Sequence, residues 1–394
     1  MHKIKCSFGC YWRGFLFRKV VIVVMRYKIR ESVDIYIIGD STLYIYFMNT
    51  RMTLEFKVSK EVLQLIKCIN SNTCEEIQVL LEEKTGRNLS LKSINDAINF
   101  LIKKNVVVGV VEGEQQHLLS SEDIKRYDRQ ISYLSEFNIG ELSGIIAQKK
   151  IKNSTISVFG CGAIGGDIAL QLVMAGVEHI ILIDDAIVDE ADSIRHLYFK
   201  TKYIGISKIE ALKQELLLIN KNINVECNNE HLLPQTDIKE IISKSDFVVN
   251  TMDEPYIGYT SLKISRECVK QNKPHYIGGG FDIHLMSTGE LIIPRMTPCV
   301  ECYTQYFKKK LSNWKPENKK NADKFNEYGG LSSLSLFSAS YESMQILRYI
   351  ADEEKEHFKK LVRGEVDFNK YSINYLDVKK NELCKTCGGI QNEA

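Results

Sequence analysis

A chain of 394 residues with 44% hydrophobic content is long enough for two domains and rich enough in apolar side chains to bury a large core. Its 52 Lys and Arg nearly cancel its 50 Asp and Glu, which excludes a global field that would gather nucleic acid or an acidic membrane. Four of its eleven cysteines fall into two CxxC pairs and the rest are scattered, which argues against a secreted disulfide framework and for a metal site in a reducing cytoplasm.

Residues 15–25 are apolar, but Arg18 and Lys19 interrupt them, and the run is shorter than the roughly 20 residues a spanning helix needs. No membrane segment is predicted, and residues 1–24 read as an extension upstream of a start at Met25. From Tyr27 to Phe47, short apolar runs around Gly39, Asp40 and Ser41 predict a hairpin of strands. The period then becomes helical three times: at Val58, Val62, Leu63 and Ile66, at Ile77, Leu80 and Leu81, and at Ile94, Ala97, Ile98 and Leu101. A Val-rich strand over 106–111 closes a winged-helix module spanning 25–112. Its third helix carries Lys92 and Lys103 but also Asp96 and shows no Arg-rich face, so DNA is not the expected partner.

A polar, acidic linker over 113–125 precedes a second domain, 126–394, in which strand and helix patterns alternate. Strands are expected at 155–159, 179–184, 225–228, 246–251 and 275–278, and helices at 163–175, 207–219 and 257–270. Such alternation implies an α/β fold, a mostly parallel Rossmann-like sheet with helices on both faces.

The first of these strands runs into Gly160-Cys161-Gly162-Ala163-Ile164-Gly165, a turn through which the backbone can approach phosphates at a helix N-terminus. The next strand ends in Asp184, placed to hold ribose hydroxyls. A nicotinamide-dependent oxidoreductase would satisfy both features. Arg195, Lys208 at the start of a helix, Asp253 after a later strand, and the segment Arg126-Tyr127-Asp128-Arg129-Gln130 favour ATP instead. Several cations near a phosphate chain, with a carboxylate to hold Mg²⁺, suit attack at an α-phosphorus better than hydride transfer.

With these motifs, the run from Arg126 to about Cys387 resembles the ThiF/MoeB/HesA adenylyltransferases, relatives of ubiquitin-activating enzymes. The resemblance implies that Gly160, Gly162 and Gly165 form the phosphate loop, that Asp184 binds ribose, and that Arg195 and Lys208 hold the triphosphate. It further implies that Asp253 takes Mg²⁺ and that Arg129 reaches the ATP of a neighbouring subunit, hence a homodimer. Two positions depart from the family pattern: Ala186 stands where a second Asp is usual, and Asp192 where Asn is usual, beside the nucleotide. A carboxylate near a γ-phosphate is repulsive unless metal-bound.

Cys299, Cys302, Cys384 and Cys387 supply a full tetrahedral Cys₄ shell for one structural Zn²⁺. No cysteine lies between Cys302 and Cys384, where ubiquitin-like activators commonly carry their acceptor thiol, and Cys161 and Cys268 read as structural. The expected acyl-adenylate therefore reacts elsewhere than on the enzyme. A winged-helix module ahead of such a domain resembles the peptide-adenylating enzymes of microcin C maturation, with Asp253-Glu254-Pro255-Tyr256 and Gly278-Gly279-Gly280-Phe281-Asp282 matching their layout. This implies a ribosomal precursor peptide as partner, captured as an added strand by the first module. Two alternatives stand beside it: a leader-peptide-binding protein that serves a YcaO-type cyclodehydratase, and a sulfur-carrier adenylyltransferase.

Overall fold

The computed structural model describes residues 25–111, 118–136, 143–253, 257–282, 285–312 and 331–388. They form two units that divide at Gln115. In the first, strands β1 (Met25–Ile29), β2 (Val33–Ile38), β3 (Thr42–Phe47), β4 (Thr53–Lys57) and β5 (Val107–Val111) accompany helices Lys60–Cys68, Cys74–Thr85 and Leu91–Lys103. The helical periodicity has its reason in the core: Ile77 and Leu81, then Ile94, Ile98 and Leu101, are buried together with Leu43 and Ile45 of β3. Thr73 and Glu76 form a capping box at the start of the second helix, and Gly86, at φ +65°, ends it.

The hairpin expected over 27–47 proves to be two separate pairings. Tyr27 lies in β1 and pairs with Gly109 of β5, whereas the hairpin itself joins β2 to β3 with Ile35 opposite Ile45. β4, not foreseen from the sequence, pairs with β3 and completes a three-stranded sheet. Its Leu54 and Phe56 pack on the core while Thr53, Glu55 and Lys57 stay exposed, an alternation too short to stand out among polar neighbours.

The second unit carries β6 (Thr155–Phe159), β7 (His179–Ile183), β8 (Asn224–Asn228), β9 (Phe247–Asn250), β10 (His275–Ile277), β11 (Phe281–Asp282), β12 (Leu285–Ser287), β13 (Glu290–Ile292), β14 (Gly364–Asp367) and β15 (Ser372–Tyr375). Six of these form one sheet in the order β13-β10-β9-β6-β7-β8, parallel except for the pairing of β13 with β10. Near-continuous apolar runs such as Ile180–Ile183 and Phe247–Val249 are buried, as a sheet covered on both faces requires. The chain builds β6, β7 and β8 outward in one direction and then returns to place β9 on the other side of β6. That reversal opens a crevice at the carboxyl ends of β6 and β9, where open α/β sheets bind ligands.

A second, antiparallel sheet of order β11-β12-β14-β15 was not anticipated, because its strands are only two to four residues long. Helices Ser121–Leu134, Ser143–Asn153 and Ser332–Ala351 were also unforeseen, the first beginning inside the stretch read as linker. The last packs on helix Ala163–Met174, with Ala339 and Ile346 in the same core as Leu172 and Val173. Burying each such Leu or Ile contributes about 2 kcal/mol. Among the described residues no helix is long and apolar enough to cross a membrane.

Candidate nucleotide site and tetrathiolate centre

The glycine loop occupies the carboxyl end of β6. Gly160 takes φ +87°, and a Cβ there would lie 2.8 Å from the backbone N of Met252, so no side chain fits. A Cβ on Gly165 would lie 1.9 Å from the Gly160 carbonyl oxygen, which is how the helix Ala163–Met174 comes so close to the strand end. Gly162 caps that helix, and its hypothetical Cβ meets nothing within 4 Å. This is open space in front of helix N–H groups, the environment an anion needs.

A chain of hydrogen bonds joins the loop to the ends of β7 and β9 and to the helix that follows β7. Asp184, buried at the end of β7, accepts the Cys161 N–H at 2.6 Å on one carboxylate oxygen and the Ala186 N–H at 2.8 Å on the other. The Lys208 N–H donates to the Ala186 carbonyl at 2.9 Å, fixing the start of helix Lys208–Ile219 beside Asp184. The Thr251 hydroxyl donates to the Gly160 carbonyl at 2.9 Å and so ties the end of β9, two residues before exposed Asp253, to the loop.

Asp192 is buried and faces one ammonium and one imidazole. Its Oδ1 lies 3.4 Å from Lys208 Nζ and 3.3 Å from His196 Nε2, while Oδ2 accepts the Asp189 N–H at 3.0 Å. Burial, with Lys208 and Arg195 adding repulsion, pushes the His196 pKa down to about 4 against the pull of Asp192. His196 is therefore neutral near pH 7, and Lys208 is the cation left to balance the Asp192 carboxylate. Arg195 is exposed at the end of the 3₁₀ turn Glu190–Ile194. Arg129 is exposed on helix Ser121–Leu134, and no hydrogen bond or ion pair among the described residues joins it to the loop, Asp184 or Lys208.

The structure thus brings Gly160, Gly162, Gly165, Asp184, Asp192 and Lys208 together with the segment that leads to Asp253. Arg129 is not among them: the neighbouring Gln130 donates to the Ala175 carbonyl, at the opposite end of the helix that begins at the glycine loop. Sequence reasoning missed Thr251, His196 and Asp167. Asp167, fully buried in the mostly apolar helix after the loop, accepts the Leu197 N–H at 3.2 Å, and burial raises its pKa to about 7. An acidic residue inside such an apolar run was the one available signal. Cys161 and Cys268 are buried, and burial pushes both thiols well above their usual range, which suits neither as a nucleophile.

The four paired cysteines are buried with all their sulfurs within 4.8 Å of one another. Sγ of Cys299 lies 3.9 Å from that of Cys302 and 3.6 Å from that of Cys384, and Cys302 lies 3.5 Å from Cys387. Tetrahedral Zn²⁺ with bonds of about 2.3 Å requires sulfurs about 3.8 Å apart, so the donor set and its spacing fit zinc. The centre joins the start of helix Val300–Lys310 to the C-terminal segment, where the Thr386 hydroxyl also bonds Glu301.

Sheet order, glycine loop, acidic strand end and tetrathiolate cluster together define a Rossmann-like fold with a candidate nucleotide site and a C-terminal segment gathered at a cluster that could hold zinc. More particularly, the chain belongs to the ThiF family, whose model matches residues 127–386. It is similar to the adenylyltransferase and sulfurtransferase UBA4 of Lodderomyces elongisporus, 33% identical over 188 residues, 47% of this chain and 38% of that protein. It is also similar to the vegetative protein HesA of Trichormus variabilis, 30% identical over 186 residues, 47% of this chain and 64% of that protein. The chain thus spans less than two thirds of the length of these curated relatives. Among solved structures, E. coli MccB superposes with a TM-score of 0.69 at 20% identity, covering 93% of this chain and 98% of that one. MccB with ATP gives 0.65 over 92% and 99%, and PaaA 0.64 over 89% and 100%, at 20% and 18% identity. These likenesses establish the fold.

Proposed function

We propose that the protein is an ATP-dependent adenylyltransferase that activates the C-terminal carboxylate of a ribosomally made peptide, in the maturation of a peptide antibiotic. The observation that carries this reading is the convergence of the glycine loop, Asp184, Lys208 and the strand leading to Asp253 on one crevice. A carboxylate oxygen attacks the α-phosphorus, the bond to the bridging oxygen breaks, and pyrophosphate leaves. The open N-terminus of helix Ala163–Met174 receives phosphate oxygens, Asp184 faces the ribose, and Lys208 and Arg195 balance charge growing on the leaving group. Asp253, an exposed carboxylate, would hold Mg²⁺ together with phosphate oxygens, and the ion would supply further charge neutralisation there. The full-length likeness to E. coli MccB, solved with ATP and with MccA, supports both the nucleotide and the peptide, since it includes the N-terminal unit.

Peptide-dependent release of pyrophosphate from ATP by the wild-type protein is the expected result. Tight peptide binding with no pyrophosphate from any of the four nucleotides would replace this reading with that of a leader-peptide-binding partner of a YcaO-type enzyme. The Asp192–Lys208 pair is the observation that favours the second reading, because it sets a carboxylate where phosphates must lie.

The separation of Arg129 from its own chain's loop supports a homodimer in which each Arg129 serves the partner's site. Arg129→Ala and Lys208→Ala subunits, each inactive alone, are expected to regain activity in confirmed heterodimers, where one of the two sites is intact. Heterodimers as inactive as either parent would mean that each site is built from one chain.

A further inference from the structure

Glu342 is a fully buried acid that neither the nucleotide nor the zinc reading uses. It sits in the middle of helix Ser332–Ala351, and its Oε1 accepts the Gly279 N–H at 2.7 Å and the Ser338 hydroxyl at 3.0 Å. Its Oε2 has no hydrogen-bond partner among the described residues and lies 3.3 Å from where a Cβ on Gly278 would stand. Buried polar atoms are nearly always paired, and an acid held this way in the interior of a protein calls for an explanation. Burial raises its pKa to about 8, against the pull of its two donors, so at neutral pH it is mainly the uncharged acid.

What Glu342 holds is the loop Gly278-Gly279-Gly280, at the carboxyl end of β10. That loop can carry no side chains at its first two positions: a Cβ on Gly278 would lie 2.8 Å from Thr251 Cγ2, and one on Gly279 1.9 Å from the Ser287 carbonyl oxygen. A Cβ on Gly280 would meet nothing within 4 Å among the described residues, which leaves the backbone bare there. Thr251, which it touches, is the residue bonded to the Gly160 carbonyl. The glycine loop and Asp184 claim the β6 and β7 side of the crevice for the nucleotide. The β9 and β10 side remains for the group that attacks the α-phosphorus.

We propose that Glu342 is a positioning residue for the acyl half of the site: by clamping Gly279 it fixes the Gly278–Gly280 backbone against which the substrate carboxylate is oriented. The proposal rests on the adenylation reading, and it couples helix Ser332–Ala351 to the same loop. An uncharged acid suits the role, since a buried anion there would repel the incoming carboxylate.

Two measurements test it. In the first, amide hydrogen exchange of residues 278–287 in the nucleotide-free protein should rise about tenfold or more in Glu342→Ala and in Glu342→Asp, whose carboxyl is too short to reach Gly279. Glu342→Gln, which keeps an oxygen for Gly279, should exchange like wild type. In the second, pyrophosphate release is followed with a panel of synthetic heptapeptides, one for each C-terminal residue. For the active members, Glu342→Asp should raise KM for the peptide about tenfold while the Kd of ATP stays within twofold, and Glu342→Gln should restore the wild-type KM. Wild-type exchange in the Ala and Asp variants, or ATP affinity falling in step with peptide KM, would overturn the proposal. If Glu342→Ala fails to fold, Glu342→Asp and Glu342→Gln still decide it. Wild-type protein that releases no pyrophosphate overturns the adenylation reading and the acyl assignment with it, while the exchange arm still decides whether Glu342 holds the loop.

Discussion

Lys208→Ala should lower peptide-dependent pyrophosphate release by about a hundredfold or more, the scale on which a lost electrostatic stabiliser acts. Lys208 is placed by two constraints, its own N–H bonded to Ala186 and its ammonium 3.4 Å from Asp192 Oδ1. It therefore meets the triphosphate as a preorganised charge and needs no large reorganisation when charge grows on the leaving pyrophosphate. The loss should fall mainly on kcat, since the interaction strengthens in the transition state. Asp253→Asn should act in the same direction and be relieved in part by high Mg²⁺. Asp192→Asn should move nucleotide affinity the other way, tightening it about tenfold, because it frees Lys208 and removes a carboxylate that repels phosphate. Steady-state release with ATP titrations checks all three. A Lys208→Ala enzyme within threefold of wild type would show that its ammonium belongs to Asp192 alone.

Stripping the metal should cost the second unit several kcal/mol and lower its melting temperature by roughly 10 °C. Four buried thiols with all their sulfurs within 4.8 Å of one another have little reason to stay together without a cation, and among the described residues they join the tail to helix Val300–Lys310 beside polar contacts such as Thr386 to Glu301 and Asn381 to Gln305. Metal analysis should return one zinc per chain. Cys384→Ser should lose it, raise exchange in residues 377–388 and leave ATP affinity nearly intact, because no cysteine of the centre belongs to the nucleotide crevice. Zinc-free protein with an unchanged melting curve would make the cluster a reduced thiol core.

The difference between what was legible and what was not follows from the range of the interactions. The tetrathiolate set, the glycine loop and the acidic end of β7 were legible because each depends on residue type at short spacing: two thiols three apart, glycines at a turn, a carboxylate at a strand end. The parallel sheet was legible because strands buried on both faces must be apolar throughout. The short strands β11, β12, β14 and β15 were not, since runs of two to four residues carry no period, and the two local pairs they form are joined into one sheet only by the distant pairing of β12 with β14, Leu285 opposite Asp367.

By itself, then, the sequence determined the family, the glycine turn at the end of β6 and the four cysteines that gather into one cluster, all written in local patterns. Only the tertiary structure decided that Asp192 pairs with Lys208, that Thr251 ties β9 to the glycine loop, and that Glu342 lies beneath Gly279, 63 positions away. In each of the three a side chain meets a partner, a side chain or a backbone group, that the sequence does not name. They exist because the sheet gathers the carboxyl ends of β6, β9 and β10 in one place and helix Ser332–Ala351 closes over them.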